Sequence, residues 1–168
     1  VLDTNIDVEE PEYPITVDKV YGEVEFDHVH FSYGKQQDEE VLSNINFKIK
    51  PGEVFGIIGP TGSGKSSLVQ LIPRLYDTTA GTVRVGGHDV REYRFADLRQ
   101  NVSMVLQKNT LFSGTIRENL LWGNPDATEE EMIQAAKHAQ AHDFIMEMPD
   151  GYDTRVEQGG SNFSGGQK

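Results

Sequence analysis

Gly-Pro-Thr-Gly-Ser-Gly-Lys-Ser, residues 59–66, fits the phosphate-binding pattern G-x-x-x-x-G-K-[ST]. The apolar run at 54–58 predicts a short buried parallel strand before it, and the run at 67–72 predicts a helix after it. A strand, a glycine-rich loop and a helix, in that order, form the context that the pattern requires. The sequence therefore predicts a phosphate-binding loop.

Each residue type in this loop has a physical reason to be there. Glycines accept backbone conformations that a Cβ would exclude, so the loop can wrap a phosphate group with its N–H groups pointing inward. We expect Lys65 to place its charge beside the β- and γ-phosphates, Ser66 to offer its hydroxyl to Mg²⁺, and Ser67 to reach the α-phosphate. The predicted nucleotide-binding residues of the loop are Gly59, Pro60, Thr61, Gly62, Ser63, Gly64, Lys65, Ser66 and Ser67.

Length and composition limit the class of protein. The chain has 168 residues, enough for one domain with a sizeable core, and no Cys, which favours a reducing, cytosolic setting without disulfides. No apolar run approaches the roughly 20 residues that span a bilayer, and the N-terminus lacks a signal-peptide pattern. We expect the chain itself to be soluble.

The negative charge is concentrated near the N-terminus. The net charge is −12, and residues 1–40 hold 12 Asp and Glu against two Lys, a net of −10. Pro11 and Pro14 interrupt this segment, so residues 1–20 are interpreted as an acidic linker. The remaining residues show no basic stripe of the kind that nucleic acid would require, and we expect no nucleic-acid partner.

The rest of the chain mixes strand and helix patterns. Residues 22–33 are predicted to form a strand. Apolar residues change face near Asp27 and His28, which indicates either a β-bulge or a change of covering layer at that point. The short apolar run at 102–106 predicts a second buried strand, and a capping box at 128–131 predicts the start of a helix. Other predicted elements are a half-buried strand at 45–49, a strand at 83–85, a turn at 86–89 and a helix at 115–122.

A second motif, Ser164-Gly165-Gly166-Gln167, lies about a hundred residues after the loop and resembles the signature of ATP-binding cassette (ABC) proteins. Tyr33 matches the aromatic residue that stacks on adenine in that family, and Gln107 matches the glutamine that reaches Mg²⁺ and the attacking water. Residues 154–157 resemble the loop that exporter cassettes press against their membrane domains. The resemblance covers about residues 20–168 and is closest to cassettes of multidrug and lipid exporters.

This resemblance implies a fold and a domain organisation. The fold class is α/β, a P-loop NTPase (RecA-like) core with an antiparallel β subdomain and a helical subdomain, incomplete at the C-terminus. Residues 1–20 would be the acidic linker from a preceding membrane domain. Residues 21–96 would form the ATP-binding core, with the antiparallel β subdomain and the phosphate loop. Residues 97–168 would hold the Q-loop, the helical subdomain and the signature.

The resemblance also implies a mechanism. Two cassettes dimerise head to tail, and Ser164, Gly165, Gly166 and Gln167 of one would contact the γ-phosphate of ATP held by the other. Lys65 and Gln107 would serve catalysis, while Ser66 and Gln107 would bind Mg²⁺. The family's catalytic Glu, its second Mg²⁺-binding motif and its switch His would follow Lys168, so we expect a fragment that binds Mg-ATP weakly and hydrolyses it negligibly. Phe163 stands where the family usually has Leu, and we expect altered packing with binding retained.

The function implied is an ATPase module that powers export of a small molecule, drug or lipid. It would lie at the cytoplasmic face of the cell membrane, with a second cassette and the transmembrane domain of the same chain as partners. One alternative is a regulatory cassette with a poorly hydrolysing site in a heterodimeric exporter, and another is a non-transport ABC protein of DNA repair or translation. A plain P-loop kinase or GTPase would leave the signature unexplained. The transported substrate is not indicated.

Overall fold

The computed structural model describes residues 8–17, 20–34, 40–106 and 109–168. The chain divides into two compact units between Met104 and Val105. The first unit contains strands β1 to β4 and helices α1 and α2: β1 (Val24–Phe31), β2 (Leu42–Ile49), α1 (Lys65–Leu71), β3 (Ala80–Val85), β4 (His88–Asp89) and α2 (Phe95–Arg99). The second contains β5 (Gly114–Thr115), α3 (Ile116–Leu121), α4 (Glu129–His138), α5 (His142–Met146) and β6 (Arg155–Val156).

The first unit is built on a four-stranded antiparallel sheet in the order β2-β1-β3-β4. Phe26 lies at its centre, opposite Phe47 of β2 and Val83 of β3. The register shifts on both sides of His28, whose φ of 50° is left-handed, so the predicted β-bulge is confirmed. The predicted strands at 45–49 and 83–85 are also confirmed, although His88 and Asp89 of the predicted turn pair with β3 as β4.

Helix α1 covers the buried side of the sheet. Leu68 and Leu71 belong to the same apolar cluster as Phe26 of the sheet, and the helix predicted after the phosphate loop is confirmed. Tyr93 is fully buried, and its hydroxyl donates a hydrogen bond of 2.7 Å to the carbonyl oxygen of Val85. Burial raises the pKa of this hydroxyl, so Tyr93 acts as a neutral donor in the core.

The prediction of buried strands at 54–58 and 102–106 is wrong. Neither segment is a strand, and Val54, Ile58 and Val105 are 97%, 99% and 92% exposed. A strand needs hydrogen-bonded neighbours, and each described strand of the first unit pairs within the antiparallel sheet. In the run at 54–58, the ring of Phe55 stacks on the ring of Phe47 of β2, with the ring centroids 4.9 Å apart.

The second unit packs three helices around the short β5–β6 pair. Its buried hydrophobic residues are Ile116, Met132, Ala136, Ile145, Tyr152, Val156 and Phe163. Capping boxes at Thr115–Glu118 and Thr128–Glu131 start α3 and α4, which confirms both predicted helices. Trp122, the single tryptophan, is 68% exposed and stacks on Phe112 instead of entering this core. Among the described helices, none combines the length and apolar character needed to cross a bilayer.

The capping box of α4 makes stability depend on pH. The backbone N–H of Thr128 donates to the Glu131 carboxylate and lowers its pKa below the ordinary value of 4.5. Because the folded pKa is depressed, the stabilisation is present above the unfolded pKa and is lost as pH falls through the folded value. We expect Glu131→Gln to be less stable than the wild type at pH 7 and to match it near pH 2.

Urea unfolding at a series of pH values measures this difference. Glu130→Gln is the matched control, because Glu130 is exposed in the same first turn of α4 but is not the capping residue. A gap between wild type and Glu131→Gln that stays constant from pH 7 to pH 2 would contradict the assignment.

The described part of the N-terminal segment is attached to the first unit although it forms no helix or strand. Arg74 donates to the carbonyl oxygen of Glu9 at 2.8 Å, and the Glu10 carboxylate accepts from the backbone N–H of Phe95 at 2.7 Å. The backbone N–H of Ile15 donates to the Glu92 carbonyl oxygen at 2.9 Å. Residues 9–15 therefore contact both the turn after α1 and the start of α2.

Glu10 caps α2 although it lies 85 residues before Phe95 in the sequence. Its carboxylate satisfies the first N–H of a helix whose N-cap residue, Arg94, makes no side-chain capping bond. We expect Glu10→Ala to lower the free energy of unfolding by about 1 kcal/mol. Urea unfolding measures the change, with exposed Glu12→Ala as the control. Equal losses of unfolding free energy in the two variants would show that negative charge in this segment, and not the cap on α2, determines the stability.

Candidate functional site

The phosphate loop ends in a glycine that no other residue could replace without strain. Gly64 precedes α1 with φ +81°, and its carbonyl oxygen accepts the N–H of Leu68 at 2.8 Å in the first helical turn. A Cβ at this position would lie 2.8 Å from Leu42 Cδ2 and 3.0 Å from the Val41 carbonyl oxygen. Gly62 has a similar φ of +83°. The loop therefore adopts the backbone conformation that its glycines predict.

Lys65 carries the charge of this site. Its Nζ donates to the carbonyl oxygens of Gly59 at 2.8 Å and Pro60 at 2.7 Å, and lies 3.4 Å from Ser63 Oγ. Within the described residues, no carboxylate lies at ion-pair distance from this ammonium group. A cation held by backbone dipoles in a glycine-rich loop, without a neutralising acid, is suited to bind an anion.

Two serines extend the site along α1. Ser66 is exposed in the first turn, whereas Ser67 is buried with 5% of its surface accessible. An exposed hydroxyl beside Lys65 fits the single protein ligand that Mg²⁺ often takes when phosphate oxygens and water complete its shell. Across the residues that the structure describes, no group of three or more His, Asp or Glu side chains could hold a metal ion instead.

Tyr33 lies beside the first turn of α1. Its hydroxyl is 2.7 Å from Ser67 Oγ, while 57% of the residue remains exposed. Tyr76 packs edge-on against its ring, with the ring centroids 5.1 Å apart. Sequence reasoning missed Tyr76, because an isolated aromatic residue after a helix forms no motif.

Gln107 lies outside the described residues. Its predicted contacts with Mg²⁺ and the attacking water stay predictions. Asp143 and Asp150 lie in helical surroundings, Asp143 in the first turn of α5 and Asp150 before a 3-10 turn. Neither follows a strand, so neither occupies the position expected of a carboxylate that binds Mg²⁺ or activates water at a strand end.

The signature residues of the second unit form a reciprocal capping arrangement. The Ser164 N–H donates to Gln167 Oε1 at 2.9 Å, and the Gln167 N–H lies 3.3 Å from Ser164 Oγ. The S-x-x-Q spacing could have revealed this from sequence, but it was missed. Since Ser164 Oγ accepts from Gln167, its own proton stays available for a ligand. A Cβ at Gly165 or Gly166 would meet no atom within 4 Å, so this backbone is open to approach.

Phe163 anchors the signature in the core of the second unit. It is 8% exposed, and its N–H donates to the carbonyl oxygen of Gly160 at 3.0 Å. The aromatic ring therefore occupies an apolar position, as expected for a residue that replaces Leu. Because Phe163 is buried, the backbone just before Ser164 is held against the core of the second unit.

Residues 154–157 combine a buried anchor with exposed charges. Val156 is buried and pairs with Gly114, whereas Arg155 and Glu157 are exposed. Glu157 is held by Ser161, whose hydroxyl donates to the Glu157 carboxylate at 2.7 Å. The segment presents ordered charged groups at the surface of the second unit.

Comparison with known proteins gives consistent matches. The family model described as ABC transporter matches residues 42–168. A multidrug export ATP-binding/permease protein by name, YgaD of Bacillus subtilis (strain 168), is 51% identical over 154 residues, which cover 92% of this chain and 26% of YgaD. The ABC transporter ATP-binding protein YknU of the same strain is 44% identical over 168 residues, covering 100% of this chain and 28% of YknU.

A solved structure matches as well. The structure of a bacterial Atm1-family ABC exporter with ATP bound superposes with a TM-score of 0.90 at 37% sequence identity. The match covers 99% of this chain and 29% of that exporter. The chain therefore spans less than a third of the length of these proteins.

Proposed function

This chain belongs to the ABC transporter family, and we propose that it is the ATP-binding ATPase module that powers export of a small molecule, drug or lipid. The observation that carries the proposal is Lys65, a cation without a carboxylate partner among the described residues, held in a glycine-rich loop at the start of α1. The name of YgaD, a multidrug export ATP-binding/permease protein, supports export as the purpose.

Binding of ATP would use the phosphate loop as a cradle. Lys65 would exchange its bonds to the Gly59 and Pro60 carbonyls for bonds to the β- and γ-phosphates, and Ser67 would contact the α-phosphate. Ser66, with Gln107, would hold Mg²⁺. The exposed ring of Tyr33 would stack on adenine. Mg-ATP, when bound, supplies the phosphoryl bond whose hydrolysis releases the energy.

A second cassette would complete the site. Ser164, Gly165, Gly166 and Gln167 would reach the γ-phosphate of ATP held by a partner, with the free Ser164 proton as a donor. Residues 1–20 would link the module to the transmembrane domain of the same polypeptide, 21–96 would bind ATP, and 97–168 would supply the Q-loop and the signature. The module would lie at the cytoplasmic face of the membrane.

Hydrolysis by this chain alone should be negligible. Lys65 and Gln107 would stabilise charge on the phosphate, but neither Asp143 nor Asp150 occupies a strand end from which it could activate water. Without a general base at such a position, which neither of these described residues supplies, the rate would be lower by about 10²–10⁴. This expectation would be contradicted if the isolated chain hydrolysed ATP at the rate of an ordinary ABC cassette and Lys65→Ala abolished that hydrolysis.

Calorimetric unfolding with and without Mg-ATP tests the proposal. A ligand at about 100 times its dissociation constant stabilises a protein by about 2.7 kcal/mol, enough to raise the midpoint by several degrees. We expect ATP to produce this rise and adenosine, which lacks phosphate, to produce almost none. Cooperative unfolding that Mg-ATP does not move would overturn the proposal for this chain.

A further inference from the structure

Three aromatic rings form a cluster beside the phosphate loop. Tyr33 packs against Phe31 with ring centroids 4.8 Å apart and an interplanar angle of 78°. Tyr76 packs against Tyr33 at 5.1 Å and 88°, and against Phe31 at 5.6 Å. Phe31 is buried, whereas Tyr33 keeps 57% of its surface exposed. Two neighbouring rings therefore restrain Tyr33 while it remains accessible to a ligand.

The far end of the Tyr33 ring is fixed by a hydrogen bond. Its hydroxyl lies 2.7 Å from the Oγ of Ser67, which is buried in α1 two residues after Lys65. A tyrosine held at its hydroxyl and by two neighbouring rings has lost most of the rotational freedom of an exposed side chain. Ligand binding then requires little further ordering of this ring.

Tyr76 is itself held in place by the turn after α1. The N–H of Leu75 donates to the Gln70 carbonyl oxygen at 3.0 Å, and buried Arg74 forms an ion pair with Asp77 at 2.7 Å. Leu75, which precedes Tyr76, is thus bonded to α1, and Asp77, which follows it, is bonded to Arg74 in the turn. The Tyr33 ring therefore contacts α1 through Ser67 and the turn after α1 through Tyr76.

We propose that Tyr76 is a positioning residue for nucleobase binding, which holds the Tyr33 ring at the orientation needed to stack on the base. The inference rests on the proposed function, because it requires that the chain bind ATP with its base on Tyr33. Tyr76 acts through Tyr33 and does not contact the phosphates. It therefore contributes to affinity for a nucleotide but not for a bare triphosphate.

The test compares two ligands on the same variants. Dissociation constants for Mg-ATP and for Mg-tripolyphosphate, which has no base, are measured by titration calorimetry. Tyr76→Leu keeps an apolar side chain and removes the aromatic edge, and we expect ATP binding to weaken about 3- to 10-fold with tripolyphosphate binding unchanged. Tyr76→Phe keeps the edge and should bind both ligands as the wild type does. Tyr13→Leu, at an exposed tyrosine, is the matched control.

If Tyr76→Leu fails to fold, Tyr76→Met replaces it in the same test, because its flexible apolar side chain also lacks the aromatic ring. The other restraint on Tyr33, its hydroxyl bond, is tested separately. Tyr33→Phe keeps the ring but removes the hydroxyl bond to Ser67, and we expect a loss of about 2- to 5-fold in ATP affinity relative to tripolyphosphate. Equal weakening of both ligands in Tyr76→Leu, or no change in either, would overturn the positioning role.

Failure of the proposed function gives a different result. If wild-type protein binds neither ligand, the proposed function fails before Tyr76 is considered. If the wild type binds both ligands equally, the base contributes nothing, so the stacking role of Tyr33 and this inference fail while the phosphate site stands.

Discussion

Lys65→Ala is expected to weaken binding of Mg-ATP by at least about 100-fold. Hydrogen bonds to charged groups contribute about 1.5–3 kcal/mol each, and Lys65 would make them to two phosphates. Two such bonds correspond to roughly 10²–10⁴ in affinity. The free energy of unfolding should change by less than about 1 kcal/mol, because the Lys65 ammonium contacts only the loop among the described residues.

Titration calorimetry with Mg-ATP measures the change, and urea unfolding shows whether the variant is still folded. Lys50→Ala is the matched control, since Lys50 is an exposed lysine immediately after β2 and before the phosphate loop. A loss of threefold or less for Lys65→Ala would contradict the assignment of the phosphate site, even if the wild type binds ATP.

Gly81→Ala should have the largest effect on stability. Gly81 adopts φ +76°, and a Cβ there would lie 2.1 Å from the His28 carbonyl oxygen and 2.6 Å from that of Asp27. Both neighbours belong to the backbone of the β-bulge, so a rotamer change cannot relieve the overlap. Strain in the left-handed region adds to an overpacking penalty, and we expect a loss of about 3 kcal/mol or more.

Gly87→Ala measures the backbone-strain part of this effect alone, so the difference between the two variants gives the steric part. Gly87 has φ +86°, but a Cβ there would meet nothing within 4 Å. It should lose only about 1 kcal/mol, the cost of backbone strain. Urea unfolding of both variants gives the comparison, and similar losses would mean that the contact with the bulge relaxes freely.

Local features of this fold were predictable from sequence because their causes lie within a few residues. The capping box at Thr128 and the bulge at His28 each depend on neighbours close along the chain, and both are confirmed. The ABC family and its P-loop NTPase fold class are confirmed by the match over residues 42–168 and by the similar exporter structure. Motif residues at long spacing identify a family even when each motif is short.

Burial was less predictable, because it depends on elements far away in sequence. The run at 54–58 is apolar enough for a buried strand, but its environment is set by whichever strand pairs with it. Trp122 shows the same limit, since hydrophobicity alone did not predict an exposed stack on Phe112. At the candidate site, the phosphate loop followed from its motif, whereas Tyr76 reaches Tyr33 only through the three-dimensional packing.

The contacts of residues 9–15 have a practical consequence for where the nucleotide-binding unit should be considered to begin. A shorter version of the protein that starts after Val20 would keep every motif residue. It would also remove the Glu9 carbonyl that accepts from buried Arg74 and the Glu10 carboxylate that caps α2. The presence of every motif and the completeness of the packing are different criteria for a boundary, and here the second extends the unit into the acidic segment before residue 20.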